Sequence, residues 1–267
     1  MTKRISLLAS PILTVAALAS PSTSLGQIYT APGCPATSNT IVGTQGNDLR
    51  GGTPLNDLML GFGGDDLYES MSGDDCLLMG PDNDRGHGGE GNDNLFGEDG
   101  IDRLNGNDGD DRVSGGSGGD LINGADDNDH LAGDTDNDSI AAGHGRDRAT
   151  GGPGNDTLSM GGAVDRGNGG SGDDGVFGGP QNDRVDGGPG HDTVRGDSGN
   201  DRVRGGSGDD RVRGGPGVDR LKGGSGNDRL HSRDHTRDFV NCGLGTDTLR
   251  ADRRDRVSRN CETVLRG

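Results

Sequence analysis

Large apolar side chains are scarce in this chain of 267 residues. It has no Trp, two Tyr and four Phe, and apolar residues make up only 26%. That shortage excludes a conventional globular core, because too little surface would be buried to offset the entropy of ordering the chain. It leaves disorder, or a repeat architecture that needs little core per unit. Long hydrophobic runs are also missing, apart from one near the start. No later stretch could cross a bilayer as a helix, so no membrane insertion is expected. Positive charge is in deficit, with 26 basic against 44 acidic residues and a net charge of −18. Such a chain repels nucleic acid and attracts cations. The aromatics that stack on single strands are absent as well, and no nucleic-acid partner is expected.

The deficit is uneven. Residues 27–180 hold 7 Arg and 29 acids, net −22, whereas residues 181–267 hold 17 Arg or Lys and 15 acids, net +2. Cysteine is limited to Cys34, Cys76, Cys242 and Cys261. Their spacing fits no zinc motif. Four cysteines allow three pairings, of which sequence proximity favours Cys34–Cys76 and Cys242–Cys261.

The N-terminus has the three parts of an export signal. Lys3 and Arg4 are basic, Ile5 to Ala19 is mostly apolar, and small-x-small sites end at Ala19 and Gly26. Residues 1–26 therefore read as a signal peptide, cleaved after either site, and the mature protein as secreted, where disulfides persist.

What is present in excess is glycine, 56 residues, and it is periodic. Stepping back by nine from Asp228 reaches Asp219, Asp210, Asp201 and onward to Asp48, an Asp at every step and twenty-one in all. With this Asp placed sixth, position one is Gly in seventeen units, the exceptions being Ser70, Met79, Ala142 and Met160. Position four is Gly in fifteen units, and position eight is a large apolar residue or Tyr in seventeen. Ala149 is a small substitute at position eight, while Arg50, Gly86 and Gly167 break the rule. Prolines within the units all fall at position three, which marks a turn. Positions one to six read as a Gly-rich turn whose backbone can approach a ligand closely. Positions seven to nine read as a short strand that points one side chain inward. One unit buries too little to fold alone, so units must stack.

Units such as GGSGDDRVR (205–213) and GGPGVDRLK (214–222) resemble the RTX family, the haemolysin-type calcium-binding repeats with consensus GGxGxDxUx. The resemblance spans about 43–231. It implies an all-β fold, a parallel β-roll or β-solenoid, in which two repeats make one eighteen-residue turn. Twenty-one units then give about ten turns. It also implies Ca²⁺ between stacked loops, held by the sixth-position carboxylates of units two apart and by loop carbonyls. The expected pairs are Asp156/Asp174, Asp174/Asp192, Asp192/Asp210 and Asp210/Asp228, with Asp201/Asp219 on the other edge. Asp183, Asp120, Asp102, Asp93, Asp111, Asp66 and Asp48 complete the expected carboxylate ligands. Gly151, Gly169, Gly187, Gly205, Gly214 and Gly223 are the expected carbonyl donors. Loops 124–129, 133–138 and 160–165 lack Gly at position four, which puts their sites in doubt. Residues 27–42 are expected to cap the first turn, and residues 232–267 to form a degenerate unit and a C-terminal cap.

Three readings compete for the function. The first is a secreted, monomeric, non-enzymatic calcium-binding protein whose roll folds on binding metal. The second is a calcium-stabilised adhesin or surface-structure protein. Its outward Arg195, Arg202, Arg204, Arg211, Arg213, Arg220 and Lys222 would contact a cell-surface or extracellular polymer. The third is a secreted enzyme. Gly115–Gly119 formally fits GxSxG, but it lies inside a repeat with no α/β pattern around it. No HExxH occurs, and the six histidines fall at unrelated repeat positions.

Overall fold

The structure, a computed structural model, describes Cys34 and residues 39–267. The signal-peptide reading of residues 1–26 lies outside the described residues. The described chain winds as a β-solenoid of two parallel sheets with thirteen strands each. Successive strands alternate between the sheets. The first sheet starts at Asn39–Val42 and ends at Arg256–Val257, and the second runs from Leu49–Gly51 to Thr263–Arg266. Pairing follows the eighteen-residue period, with Val185 opposite Val203 and Val194 opposite Val212.

The core is the expected single column from each sheet. Leu95, Val113, Leu131, Val185 and Val203 face Leu104, Ile122, Ile140, Leu158 and Val194, all at most 3% exposed. Position eight thus supplies the inward side chain. Where it is Gly or Ala, position one of the same unit compensates. Gly86 leaves a hole that Met79 enters, its Sδ 3.5 Å from where a Cβ on Gly86 would lie. Gly167 is matched in the same way by Met160, whose Sδ is 2.9 Å from the corresponding point. Ala149 shares its unit with buried Ala142. Three of the four position-one exceptions, Met79, Ala142 and Met160, are therefore core residues, because position one also faces inward, while buried Ser70 donates its hydroxyl to the Gly88 carbonyl. Gly167→Val alone should overpack the core and cost about 1–3 kcal/mol. Met160→Gly alone should leave a cavity costing about 2–5 kcal/mol. The pair should cost much less than the sum, since together they restore the common unit. Denaturant unfolding of the three variants in calcium checks this, and additive losses would contradict it.

The roll runs past both expected ends. Asn39–Val42, in the segment expected to cap, is already a strand paired with Asp57–Leu60. Beyond His231, Phe239–Leu244 pairs with Arg220–Ser225 and Thr248–Ala251 with Arg229–His231. The loop 232–238 absorbs the one-residue slip in the period, after which Val240 and Leu249 resume the core. The roll thus has about thirteen turns rather than ten.

Disulfides join Cys34 to Cys76 and Cys242 to Cys261, with Cα separations of 5.6 and 5.1 Å. Near Cys34 the outer face of the first sheet is apolar. Leu58, Leu60, Cys76 and Leu78 form a second buried cluster there, packed by Cys34, Phe62 and Phe96.

Candidate metal centre

The glycines do two different jobs in the loops. From the unit of Asp66 to that of Asp228, positions two and four adopt positive φ, as at Gly152 (120°) and Gly154 (154°). Position one does not. It is Gly because a Cβ on Gly151 would sit between Asp156 Oδ2 and the carbonyl oxygen of Gly169, one turn on. The same arrangement recurs at Gly169, between Asp174 Oδ2 and the Gly187 carbonyl, and at Gly196, between Asp201 Oδ2 and the Gly214 carbonyl. Gly205 and Gly223 lie against Asp210 and Asp228 of their own units. Each loop therefore brings one carboxylate oxygen and one backbone carbonyl into the same small space.

The sixth-position carboxylates run in two files, one at each edge of the roll. Within a file, the backbone N–H of each Asp donates to Oδ1 of the Asp one turn later. Asp156 donates to Asp174 at 2.8 Å, Asp174 to Asp192 at 2.9 Å and Asp192 to Asp210 at 2.9 Å. Asp210 donates to Asp228 at 2.9 Å, and on the other edge Asp183 donates to Asp201 and Asp201 to Asp219, both at 2.8 Å. This bond uses one oxygen of every carboxylate. The other oxygen, Oδ2, is buried and has no protein partner in twenty-one consecutive aspartates, eleven on one edge from Asp66 to Asp247 and ten on the other from Asp75 to Asp238. A buried carboxylate oxygen with no partner carries a large desolvation cost.

Both files end where the chain supplies its own partners. Asp48 and Asp57 receive the N–H and hydroxyl of Thr44 and Thr53, the position-two residues of their units. Arg50 also pairs with Asp48 at 2.7 Å. Partial burial raises Asp48, but these groups outweigh it and hold its carboxyl below the usual range. At the far end, Asp255 accepts the N–H of Asp238, the hydroxyl of Ser232 and the N–H of Asp252. Glu262 accepts the N–H of Asp247.

Between these ends the carboxyls are pushed up. Burial is the main cause, and neighbouring carboxylates add to it. Asp84, Asp93, Asp111 and Asp120 rise to about 7, as do Asp174, Asp183, Asp210 and Asp219. Asp129 rises to about 8, and Asp102, Asp201 and Asp228 to about 6. Burial also raises Asp66, Asp156 and Asp192. Files of buried groups with raised pKa accommodate either protons or cations.

Of the fourteen aspartates expected as ligands, thirteen stand in these files. Asp48 does not, because Thr44 and Arg50 satisfy it. Asp75, Asp84, Asp129, Asp138, Asp147 and Asp165 share the geometry and were legible from the same period, whereas Asp238 and Asp247 enter through the slipped units. Loops 124–129, 133–138 and 160–165 keep the backbone course of the other loops, since Asp127, Asp136 and Ala163 adopt positive φ of 73°, 81° and 109° in place of Gly, but Met160 puts a Cβ at position one of the third. A second ladder was missed in the sequence. Position five is Asn or Asp in fifteen of the twenty-one units. Its side chain accepts the N–H of position five one turn later, as Asn155 does from Asp173 at 2.7 Å and Asp173 from His191 at 2.8 Å. These exposed bonds fasten the turns from outside the files.

Among the described residues, no cluster of three or more His, Cys, Asp or Glu side chains converges on a point. A metal here would have at most a few carboxylate oxygens and would depend on backbone carbonyls. All four cysteines are in disulfides. An all-oxygen donor set with many carbonyls suits a hard, flexible-geometry cation, not zinc or copper.

The sequence profile of the RTX calcium-binding nonapeptide repeat matches the chain in four copies, over residues 87–122, 123–158, 161–194 and 195–230. Among curated proteins, no match was found.

Proposed function

The chain belongs to the RTX calcium-binding nonapeptide repeat family, and from that premise we propose that it is a secreted protein whose β-roll is folded by calcium. The observation that supports this most is the pair of files of unpartnered Oδ2 atoms. Calcium supplies positive charge at oxygens that the protein leaves unsatisfied. The cradle oxygens, such as Asp156 Oδ2 with the Gly169 carbonyl and Asp174 Oδ2 with the Gly187 carbonyl, would hold it. Successive aspartates of one file, Asp210 and Asp228 among them, would serve neighbouring ions. The protein's own part is to space these oxygens by one strand separation and to keep water from them. Its polar ends, at Thr44, Thr53 and Ser232, limit the file to the length of the roll. The two disulfides fit an oxidising compartment, in line with an export signal at residues 1–26. The role proposed for it is that of a monomeric, non-enzymatic protein.

Calorimetric titration of metal-free protein tests the reading. Ca²⁺ should bind at many sites per chain with release of protons. Mg²⁺, which demands a tight octahedron and holds its waters, should bind far more weakly. No calcium uptake, or equal uptake of both ions, would overturn it.

A further inference from the structure

The acids of this chain are concentrated at the edges of the roll, and one flat face carries the opposite charge. On the outer side of the first sheet, position seven is in register across seven strands. The column reads Arg112, His130, Arg148, Arg166, Arg184, Arg202 and Arg220. All seven are exposed. Arg204 and Lys222 stand two residues along on the same face and are adjacent in register. The same seven strands contain two acids, Asp134 and Asp186, against eight Arg or Lys. Arg204 alone of these eight forms an ion pair among the described residues, with Asp186 at 3.4 Å. Like charges directly opposite across strands destabilise a sheet. Here they repeat at the strand spacing of about 4.8 Å over five successive strands, from Arg148 to Arg220, with Arg112 beyond His130.

Beside the column lies an open groove running across the strands. It is lined by Asn168, Asp186, Arg204 and Lys222 with the hydroxyl residues Ser207 and Ser225. The face thus offers a straight row of guanidiniums and, next to it, amides and hydroxyls. The second sheet has no such column, since Ser139, Thr157, Gly175 and Thr193 occupy position seven across its middle.

We propose that this face binds a linear acidic polysaccharide laid along the axis of the roll. Guanidinium forks suit carboxylate or sulfate groups. The neighbouring amides and hydroxyls suit the sugar hydroxyls between the charges. A nucleic acid fits less well, because the column offers no aromatic platform for bases until Phe239 beyond its end. The proposal depends on the folded face and not on which ion folds it.

The test uses full-length protein in calcium, with β structure verified by circular dichroism, on a sensor carrying a polyuronate oligomer. Oligothymidylate and neutral dextran serve as comparison surfaces. The triple variant Arg166→Gln, Arg184→Gln, Arg202→Gln should lose binding by about tenfold or more. The variant Arg103→Gln, Arg211→Gln, Arg229→Gln, equal in net charge but on the second sheet, should retain it. Added salt should weaken the wild-type interaction. Absent wild-type binding, equal loss in both variants, or tighter binding to oligothymidylate would each overturn the proposal.

Discussion

Metal-free protein should be coil-like near pH 8 and gain β structure as the pH is lowered, with no calcium present. The cause is the set of raised carboxyls. An aspartate in an unfolded chain titrates near 3.9, whereas Asp93, Asp111 and Asp120 in the roll titrate at about 7 and Asp129 at about 8. The folded roll therefore holds more protons than the unfolded chain across that interval. Its stability is fully present below the unfolded value and is lost as pH rises through about 6 to 8. Each pKa unit corresponds to roughly 1.4 kcal/mol per group. Twenty-one groups stand in the files, so about half of that amount at each already matches the upper end of the ~5–15 kcal/mol by which a domain is stable. Calcium reverses the dependence, because it stabilises the ionised form. With calcium the roll should become more stable between about pH 5 and 8. Circular dichroism in chelator across this range checks the point. A metal-free β signal that is constant, or that rises with pH, would contradict it.

Two adjacent aspartates should respond very unequally to the same substitution. Asp209 is at position five, exposed, and its Oδ1 accepts the N–H of Asn227 at 2.7 Å. Asp209→Asn keeps that acceptor and installs the residue many other units carry there. It should change stability by less than about 0.5 kcal/mol. Asp210 is 1% exposed, and its Oδ1 accepts the N–H of Asp192. Asp210→Asn can keep this bond too. What it loses is the charge at Oδ2, and it gains an amide N–H₂ facing the cradle at Gly205. In calcium the loss should be about 3–5 kcal/mol, the cost of leaving a buried ion without its partner. Denaturant unfolding in saturating calcium measures both. Equal effects at 209 and 210 would show that the buried oxygen carries no ion.

The two sheets, their eighteen-residue register and the single-file core were legible because each unit repeats one Asp, one inward apolar residue and one Gly pattern. The carboxylate files were legible for the same reason. What hid was everything that depends on a neighbour in space. Met79 and Met160 read as faults at position one until Gly86 and Gly167 were seen across the same unit. Asp48 belonged to the period, yet Thr44 and Arg50 remove it from the file. Asp238 and Asp247 were obscured by a one-residue slip that the loop 232–238 takes up without disturbing the strands. The Asn and Asp at position five were visible as composition, but their direction of bonding was not. The charge of the outer faces was likewise counted correctly and placed incompletely. Arg195 and Arg213 face each other on the second sheet, while Arg202 and Arg220 belong to the long column on the first.

The central claim is that cations fill the files and thereby fold the chain. Titrating Ca²⁺ into metal-free protein at neutral pH, while following circular dichroism and hydrodynamic radius together, tests it most directly. A coil-like, expanded chain should convert cooperatively to a compact β spectrum, and chelator should reverse the change. A spectrum and radius indifferent to both calcium and chelator would contradict the account.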